Sequence, residues 1–137
     1  MNRILLPIDG SEHSRKAIAK ASELARLSGG EVRVFHLQER ELTRSGGVMS
    51  LEIPAEVKEL VNGAVAELKS AGISASGETR AGQHGEAAKA ILSEADDFSA
   101  DLIVIGTRGL SDFQALLIGS VAHKVVHYAH CPVLVVR

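Results

Sequence analysis

Residues 101–121, DLIVIGTRGLSDFQALLIGSV, decide the fold class of this chain. They contain four consecutive apolar residues, LIVI, that end at Gly106, which is typical of a strand buried on both faces of a parallel sheet. Gly109 and Gly119 follow, and Ser120 comes directly after the last glycine. Small residues beyond a parallel strand let backbone N–H groups approach an anion, because no Cβ stands in the way. The stretch therefore predicts a ligand site at the carboxyl edge of a parallel sheet.

Each of these glycines also has an ordinary structural explanation. Gly106 could simply end a strand, Gly109 could serve a turn, and Gly119 could let a helix pack closely. The joint spacing is more informative than any one glycine. Gly106, two residues, Gly109, nine residues, Gly119 and Ser120 together resemble the nucleotide-binding signature of the universal stress protein family. The closing residues 131–137, CPVLVVR, are similar to that family too.

Length and composition limit the number of domains and disfavour binding to nucleic acid. At 137 residues, of which 45% are hydrophobic, the chain is long enough for one domain, residues 1–137, with a real core. A net charge of −2 and only 3% aromatic residues disfavour nucleic-acid binding. The sequence shows neither a membrane-spanning apolar run nor a signal-peptide pattern, so we expect a cytoplasmic protein. The single cysteine, Cys131, excludes an internal disulfide and fits a reducing compartment.

Strand-like and helical patterns alternate along the chain. Five short apolar or β-rich segments are separated by four segments with helical apolar spacing, the pattern of a doubly wound α/β protein. We therefore predict a single-domain, five-stranded parallel sheet with strand order 3-2-1-4-5. In that order strands one and four lie side by side, where the winding of the crossovers reverses. The turns at Asp9 and Gly106, which follow these two strands, would flank one crevice. The predicted strands are residues 4–8, 31–37, 73–79, 102–105 and 132–136.

The resemblance to the universal stress proteins covers residues 4–137. It implies an adenine nucleotide alpha hydrolase-like fold, ATP binding, a homodimer formed through the last strand (residues 132–136), and a role in stress responses. The acid near adenine and ribose would be Asp9, although Asp9 could instead only cap the helix that follows it. Mg²⁺ is expected to be held mainly by the phosphates, without a metal site of the protein's own. The ATP-binding residues implied are Pro7, Ile8, Asp9, Leu37, Gly82, Ile105, Gly106, Arg108, Gly109, Gly119, Ser120 and Val121.

Other features of the sequence are interpreted as structural. We expect His36 to be a packed or hydrogen-bonded core histidine rather than a ligand. Residues 38–53 show little periodicity and predict a mobile surface loop. His84 has no catalytic partner identifiable by spacing and is attributed to a helix start. His123 and His127 are spaced to share a metal, but the glutamate of an HExxH pattern is absent, so no zinc site is predicted.

The sequence favours nucleotide binding over catalysis. The P-loop and GxGxxG patterns are absent, and the turn after the first strand is DGS where an ATP-pyrophosphatase would have SGGxDS. No general base is identifiable beside the predicted phosphate cradle, so we expect a nucleotide-responsive regulatory switch with at most slow ATP hydrolysis. Two alternatives stay open. One is a slow ATPase, with His84 as its candidate base; the other is a nucleotide-independent module that binds an unknown protein partner.

Overall fold

Strands and helices alternate throughout the computed structural model, which describes residues 1–42, 45–50, 53–108 and 118–137. The elements are β1 (Arg3–Pro7), α1 (Glu12–Ser28), β2 (Glu31–Leu42), β3 (Val48–Ser50), α2 (Pro54–Ser70), β4 (Ala75–Gln83), α3 (Ala87–Phe98), β5 (Leu102–Gly106), α4 (Ser120–Tyr128) and β6 (Val133–Val136). None of the described helices is long and apolar enough to cross a membrane.

Five of the strands form a parallel sheet in the order β4-β2-β1-β5-β6. Counted along the chain without the short antiparallel β3, this order is 3-2-1-4-5, and it confirms the predicted topology. The central strands β1 and β5 lie side by side, with Ile4 opposite Leu102. The crossovers reverse their winding at this pair, so the carboxyl ends of β1 and β5 flank the crevice that such folds use for ligands.

Two apolar layers cover the two faces of the sheet. Alternate side chains of the central strands, such as Leu6 and Val104, pack against α1 and α2. Their neighbours, such as Leu5 and Ile103, pack against α3 and α4. All four are 0% exposed. Because both faces are buried, the central strands need apolar residues at every position, which explains their unbroken apolar runs.

Serine, glycine and proline residues mark the helix ends. Ser11 is the N-cap of α1, and its hydroxyl accepts a hydrogen bond from Ser14 N at 3.1 Å. Gly29 ends α1 in the left-handed conformation, with φ 71°, where a residue without Cβ is favoured. Pro54 begins α2 at its first turn, and α4 begins at Ser120, directly after Gly119.

The prediction of a mobile loop at residues 38–53 is wrong for two described parts of it. Strand β2 continues to Leu42, and β3 pairs with its last residues in antiparallel fashion, with Arg40 opposite Ser50. The other side of β2 pairs with β4 as far as Arg40 and Gln83. Backbone pairing on both sides keeps this polar segment extended, although its side chains show no apolar alternation.

A buried carboxylate joins α3 to strands β2 and β4. Glu94 is only 2% exposed. Its two oxygens accept from Arg33 Nη1 at 2.9 Å and from Arg80 Nη2 at 2.6 Å. Arg33 also lies over the ring of Phe98, 4.2 Å from its centroid. This charge clamp, made of Glu94, Arg33 and Arg80, connects α3 with β2 and β4.

Candidate functional site: a cleft at the carboxyl edge of the sheet

A cleft of about 750 Å³ opens at the carboxyl edge of the sheet. It is lined by the ends of β1, β2 and β5 and by the first turns of α2, α3 and α4. Its volume lies within the range of roughly 300–1,000 Å³ that is usual for small-molecule sites. The cleft therefore occupies the position that the strand order predicts for a ligand.

One end of the cleft is mainly apolar. It is formed by side chains of β2, α2 and α3 and of the residues next to β1 and α2, namely Ile8, Phe35, Leu37, Ile53, Val57, Leu60 and Ile91. His36 is 5% exposed, and its Nδ1 lies 2.7 Å from Ile8 O. This agrees with the predicted structural role of His36, which also contributes to the cleft wall.

Strand β2 extends past the end of β1 and directs backbone groups towards the cleft. Pro7, the last residue of β1, lies opposite Phe35, and Phe35 O accepts from Ile8 N at 2.9 Å. Alternate residues of a strand direct their N–H and C=O groups to the same side. Leu37 therefore directs both backbone groups to the side of β1, beyond the point where β1 ends. A donor and an acceptor stand next to each other at this wall of the cleft.

The opposite end of the cleft is polar. Ser11, Ser14, Thr107, Arg108 and Ser120 line it. Ser11 Oγ donates to Arg108 O at 3.5 Å, which joins the first turn of α1 to the segment after β5. Hydroxyl groups and a guanidinium at one place form a surface suited to an anion.

Helix α4 begins at this polar end. Ser120 is its first residue, and Ser120 and Val121 both line the cleft. Gly119 is buried just before the helix, and its N–H donates to Thr107 O. The amides of the first turn of a helix have no partners within the helix, and the helix dipole favours negative charge there. The start of α4 is therefore a second element suited to an anion.

Asp9 organises the turn between β1 and α1. Its carboxylate accepts from Ser11 N at 2.9 Å, and its own N–H donates to Ser14 Oγ at 3.1 Å. Asp9 also lines the cleft. The alternative that Asp9 only caps the helix is wrong, because the N-cap of α1 is Ser11, and Asp9 both holds this turn and lines the cleft.

His84 and Glu39 form a pair at the side of the cleft where β2 and β4 end. His84 Nδ1 lies 2.7 Å from Glu39 Oε2, and both residues line the cleft. Glu39 belongs to β2 and His84 follows β4, whereas Arg108 follows β5 on the other side of β1. The strand order therefore separates the candidate base from the polar end of the cleft.

The protein-family comparison identifies the chain. The profile of the Universal stress protein family matches residues 1–137. The chain belongs to the universal stress protein family. Universal stress protein YxiE from Bacillus subtilis is 33% identical over 149 residues, with 99% of each chain covered. A universal stress protein of Thermus aquaticus is 36% identical over 137 residues, covering 98% of this chain and 97% of the relative. Among solved structures, the universal stress protein from Archaeoglobus fulgidus in complex with dAMP has a TM-score of 0.74 and 26% identity, and covers 100% of this chain and 98% of that one.

Most of the residues that the sequence assigned to the site of this universal stress protein lie at the cleft. Two of the assigned glycines do not line it. Gly82 packs against Leu37, and Gly119 is buried behind the start of α4. Gly109 lies outside the described residues. The assigned residues that line the cleft are Pro7, Ile8, Asp9, Leu37, Ile105, Gly106, Arg108, Ser120 and Val121.

Sequence reasoning missed the contribution of the first turn of α1 to this universal stress protein's cleft. Ser11 and Ser14 line it, and Thr107 joins them from the end of β5. The two serines could have been predicted to line the cleft, because they follow β1 closely in the sequence and the carboxyl ends of β1 and β5 meet in the predicted strand order. The contact between His13 and Arg108 could not be predicted in this way, because the two residues are far apart in the sequence.

The described part of the chain contains no group of three or more His, Cys, Asp or Glu side chains that could hold a metal ion. His123 and His127 stack on the surface of α4, with ring centroids 6.5 Å apart. A separate pocket of about 60 Å³ lies beside Cys131 and is too small for a nucleotide. Burial, followed by the charges of Asp101 and Asp96, raises the pKa of the Cys131 thiol, which favours its unreactive neutral form.

Proposed function

We propose that this universal stress protein binds ATP in the cleft and acts as a nucleotide-responsive switch in stress responses. The observation that carries the proposal is the polarity of the cleft. An apolar end with a backbone donor and acceptor lies opposite an end formed by hydroxyls, Arg108 and the start of α4. A nucleoside triphosphate has the same two-ended chemistry.

Adenine would occupy the apolar end. Its Watson–Crick edge presents an acceptor, N1, beside a donor, the exocyclic amine. The N–H and C=O of Leu37 are the complementary donor and acceptor. The side chain of Ile8, directly after β1, lines the same end of the cleft. A guanine base presents a different donor and acceptor order at this edge, so we expect ATP to bind more tightly than GTP.

The phosphates would occupy the polar end. Ser120 supplies a hydroxyl, Val121 supplies a backbone N–H of the first turn of α4, and Arg108 supplies a cation. We also assign Gly109 to the phosphate-binding residues, because it occupies its position in the glycine signature. Mg²⁺ would be held mainly by phosphate oxygens, with Asp9 the nearest assigned carboxylate. The Archaeoglobus fulgidus relative in complex with dAMP supports an adenine nucleotide as the ligand.

The test combines ligand identification with a charge variant. Mass spectrometry of ligand released from freshly purified protein should detect ATP or ADP, and calorimetry should show ATP binding more tightly than GTP. Ser120→Asp adds a negative charge that suits the start of a helix but repels phosphate. We expect it to weaken ATP binding at least tenfold while the thermal unfolding temperature is kept. Ser76→Asp, which adds the same charge at an exposed position in β4, is the control. Equal ATP affinities for the two variants would exclude this phosphate site.

We propose regulation rather than efficient catalysis. A fast ATPase needs a group that activates water within hydrogen-bond reach of the γ-phosphate. The candidate base His84 is paired with Glu39 on the β2 and β4 side of the cleft, whereas Arg108 and Ser120 lie at the other end. We therefore expect phosphate release far below the roughly 1–100 per second of kinases. Turnover in that range which disappears in His84→Ala would establish an ATPase instead.

We further propose that two copies pair through residues 132–136 and that the nucleotide-bound form binds a protein partner. The apolar strand β6 lies at the edge of the described sheet, with β5 as its neighbour. An unpaired strand edge is suited to pairing with a second chain. The rival function, a nucleotide-independent interaction module, would be favoured if calorimetry detected no adenine nucleotide binding.

A further inference from the structure

The first turn of α1 packs unusually closely against the end of β5. A Cβ built on Gly106 would lie 2.8 Å from the carbonyl carbon of His13 and 2.9 Å from its oxygen. Such distances are below any normal contact between a Cβ and a backbone atom, so only glycine allows α1 to approach this far. The approach brings the imidazole of His13 beside the two residues that follow β5, Thr107 and Arg108.

Both ring nitrogens of His13 are used at this contact. Nδ1 lies 3.1 Å from Thr107 Oγ1, and Nε2 lies 3.4 Å from Arg108 Nη2. A guanidinium only donates hydrogen bonds, so Nε2 must present its lone pair to Arg108. The proton of the neutral imidazole is then on Nδ1 and is donated to Thr107 Oγ1. This arrangement requires uncharged His13.

The same turn of α1 also holds the backbone of Arg108. Ser11 Oγ donates to Arg108 O at 3.5 Å, two residues before His13 in the chain. Arg108 is therefore fixed by α1 at its carbonyl and at its guanidinium. A long arginine side chain loses much rotamer freedom when it binds an anion, and a side chain that is already oriented loses less.

We infer that His13 is a positioning residue for anion binding by Arg108, an assignment that rests on the ATP-binding function proposed above. His13 holds the guanidinium as a neutral acceptor, so it orients the side chain without contributing a negative charge. It acts only on the charged part of the ligand. Its removal should therefore weaken binding of ATP and leave binding of adenosine unchanged.

Calorimetric titration of the full chain with ATP and with adenosine tests this inference. Ordering one long side chain accounts for about a three- to tenfold change in affinity. We expect His13→Ala to lose ATP affinity by that factor and to change adenosine affinity by less than about twofold. His127→Ala, an exposed histidine on α4, is the matched control and should bind both ligands like the unmodified protein.

Two further variants separate positioning from a general structural effect. His13→Gln places an amide oxygen near the position of Nε2 and should restore most of the ATP affinity, whereas His13→Asn is too short to reach Arg108. In an Arg108→Ala background, His13→Ala should have no additional effect on ATP binding. Additive losses in the double variant, or equal losses for ATP and adenosine, would overturn the inference. An unmodified protein that bound neither ligand would instead refute the proposed function.

Discussion

At the scale of single residues, Gly106 has a role that its place in the glycine signature does not reveal. The spacing suggested that each glycine either clears a path for phosphate or serves ordinary packing. At Gly106 the structure supplies a packing reason, because the backbone of His13 occupies the space that a Cβ would need. Glycine is required here for the contact between α1 and β5, and this contact in turn shapes the polar end of the cleft.

Replacing Gly106 with alanine should destabilise the fold. The added methyl group would force α1 away from β5, and overpacking of this kind costs about 1–3 kcal/mol in free energy of unfolding. Gly63→Ala is the control, because a Cβ at this position in α2 meets nothing within 4 Å. It should raise stability by about 0.5–1 kcal/mol, since alanine favours helix. Urea unfolding of both variants measures the difference, and a Gly106→Ala protein as stable as the unmodified one would contradict the packing explanation.

Asp101 gives stability that depends on pH. Burial opposes its ionisation, but hydrogen bonds donated by Asn2 N at 2.8 Å and Arg3 N at 3.2 Å, helped by the N-terminal charge, outweigh burial and lower the pKa of Asp101. A carboxyl group with a lowered folded-state pKa stabilises the fold above its unfolded value, about 3.9. This contribution is lost as the pH falls through the lower folded-state pKa.

Asp101→Asn should therefore unfold more easily than the original protein at pH 7, and the difference should shrink as the pH falls below about 3.9. The effect is modest because the Asp101 side chain is 43% exposed. Denaturant titrations at several pH values measure it. A stability difference that stayed constant from pH 7 to pH 3 would show that the charge of Asp101 is not responsible.

At the scale of elements, apolar periodicity located the helices and central strands because it records which faces are buried. It could not locate residues 38–42 of β2, which read QEREL and are held in the sheet by backbone pairing with β3 and β4. It also could not indicate that Glu94 is buried, because an acid within an amphipathic helix normally faces water. Glu94 is stable there only because two arginines from β2 and β4 meet it, and contacts between distant parts of a chain leave no local pattern.

Breaking the charge clamp should weaken the attachment of α3 to β2 and β4. Glu94→Gln would leave Arg33 and Arg80 beside an uncharged amide that cannot compensate both of them. We expect the free energy of unfolding to fall by roughly 2–4 kcal/mol. This is no more than the cost of removing one partner from a fully buried pair, because the two arginine side chains are 29% and 38% exposed. Glu23→Gln breaks the exposed pair with Lys20 and should not change stability measurably. Thermal unfolding distinguishes the two, and a neutral Glu94→Gln would contradict a stabilising clamp.

At the scale of the whole molecule, the strand order was predictable because alternating elements with right-handed crossovers allow few arrangements. The position of the cleft followed from that order. The side chains at its polar end did not follow, since the close packing of α1 on Gly106 brings Ser14 to the cleft and His13 against Arg108. Family resemblance assigned nine of the residues that line the cleft, and geometry was needed to separate Gly82 and Gly119 from them.

The proposed dimer can be tested through the backbone of β6. Ile103 N donates to Pro132 O and Thr107 N donates to Val136 O, so the even-numbered residues of β6 direct their backbone groups to β5. The N–H of Val135 therefore points away from β5, towards the outer edge. Val135→Pro removes this donor and leaves the pairing with β5 intact.

We expect Val135→Pro to be a folded monomer by sedimentation velocity, whereas the unmodified protein and the control Val135→Thr, which keeps the N–H, sediment as dimers. If Val135→Pro also sedimented as a dimer, the interface would lie elsewhere.

Thr107 connects the cleft with that outer strand through a single peptide segment. Its N–H donates to Val136 O at the end of β6, and its C=O accepts from Gly119 N before α4. The backbone that lines the polar end of the cleft is thus also the backbone that fixes the last residue of the edge strand. If the proposed nucleotide site and the proposed dimer are coupled through this segment, the coupling acts equally in both directions, because the factor by which nucleotide would strengthen subunit pairing is the factor by which pairing would strengthen nucleotide binding. With such coupling, a change in the concentration of this protein alone would change how much nucleotide each copy holds.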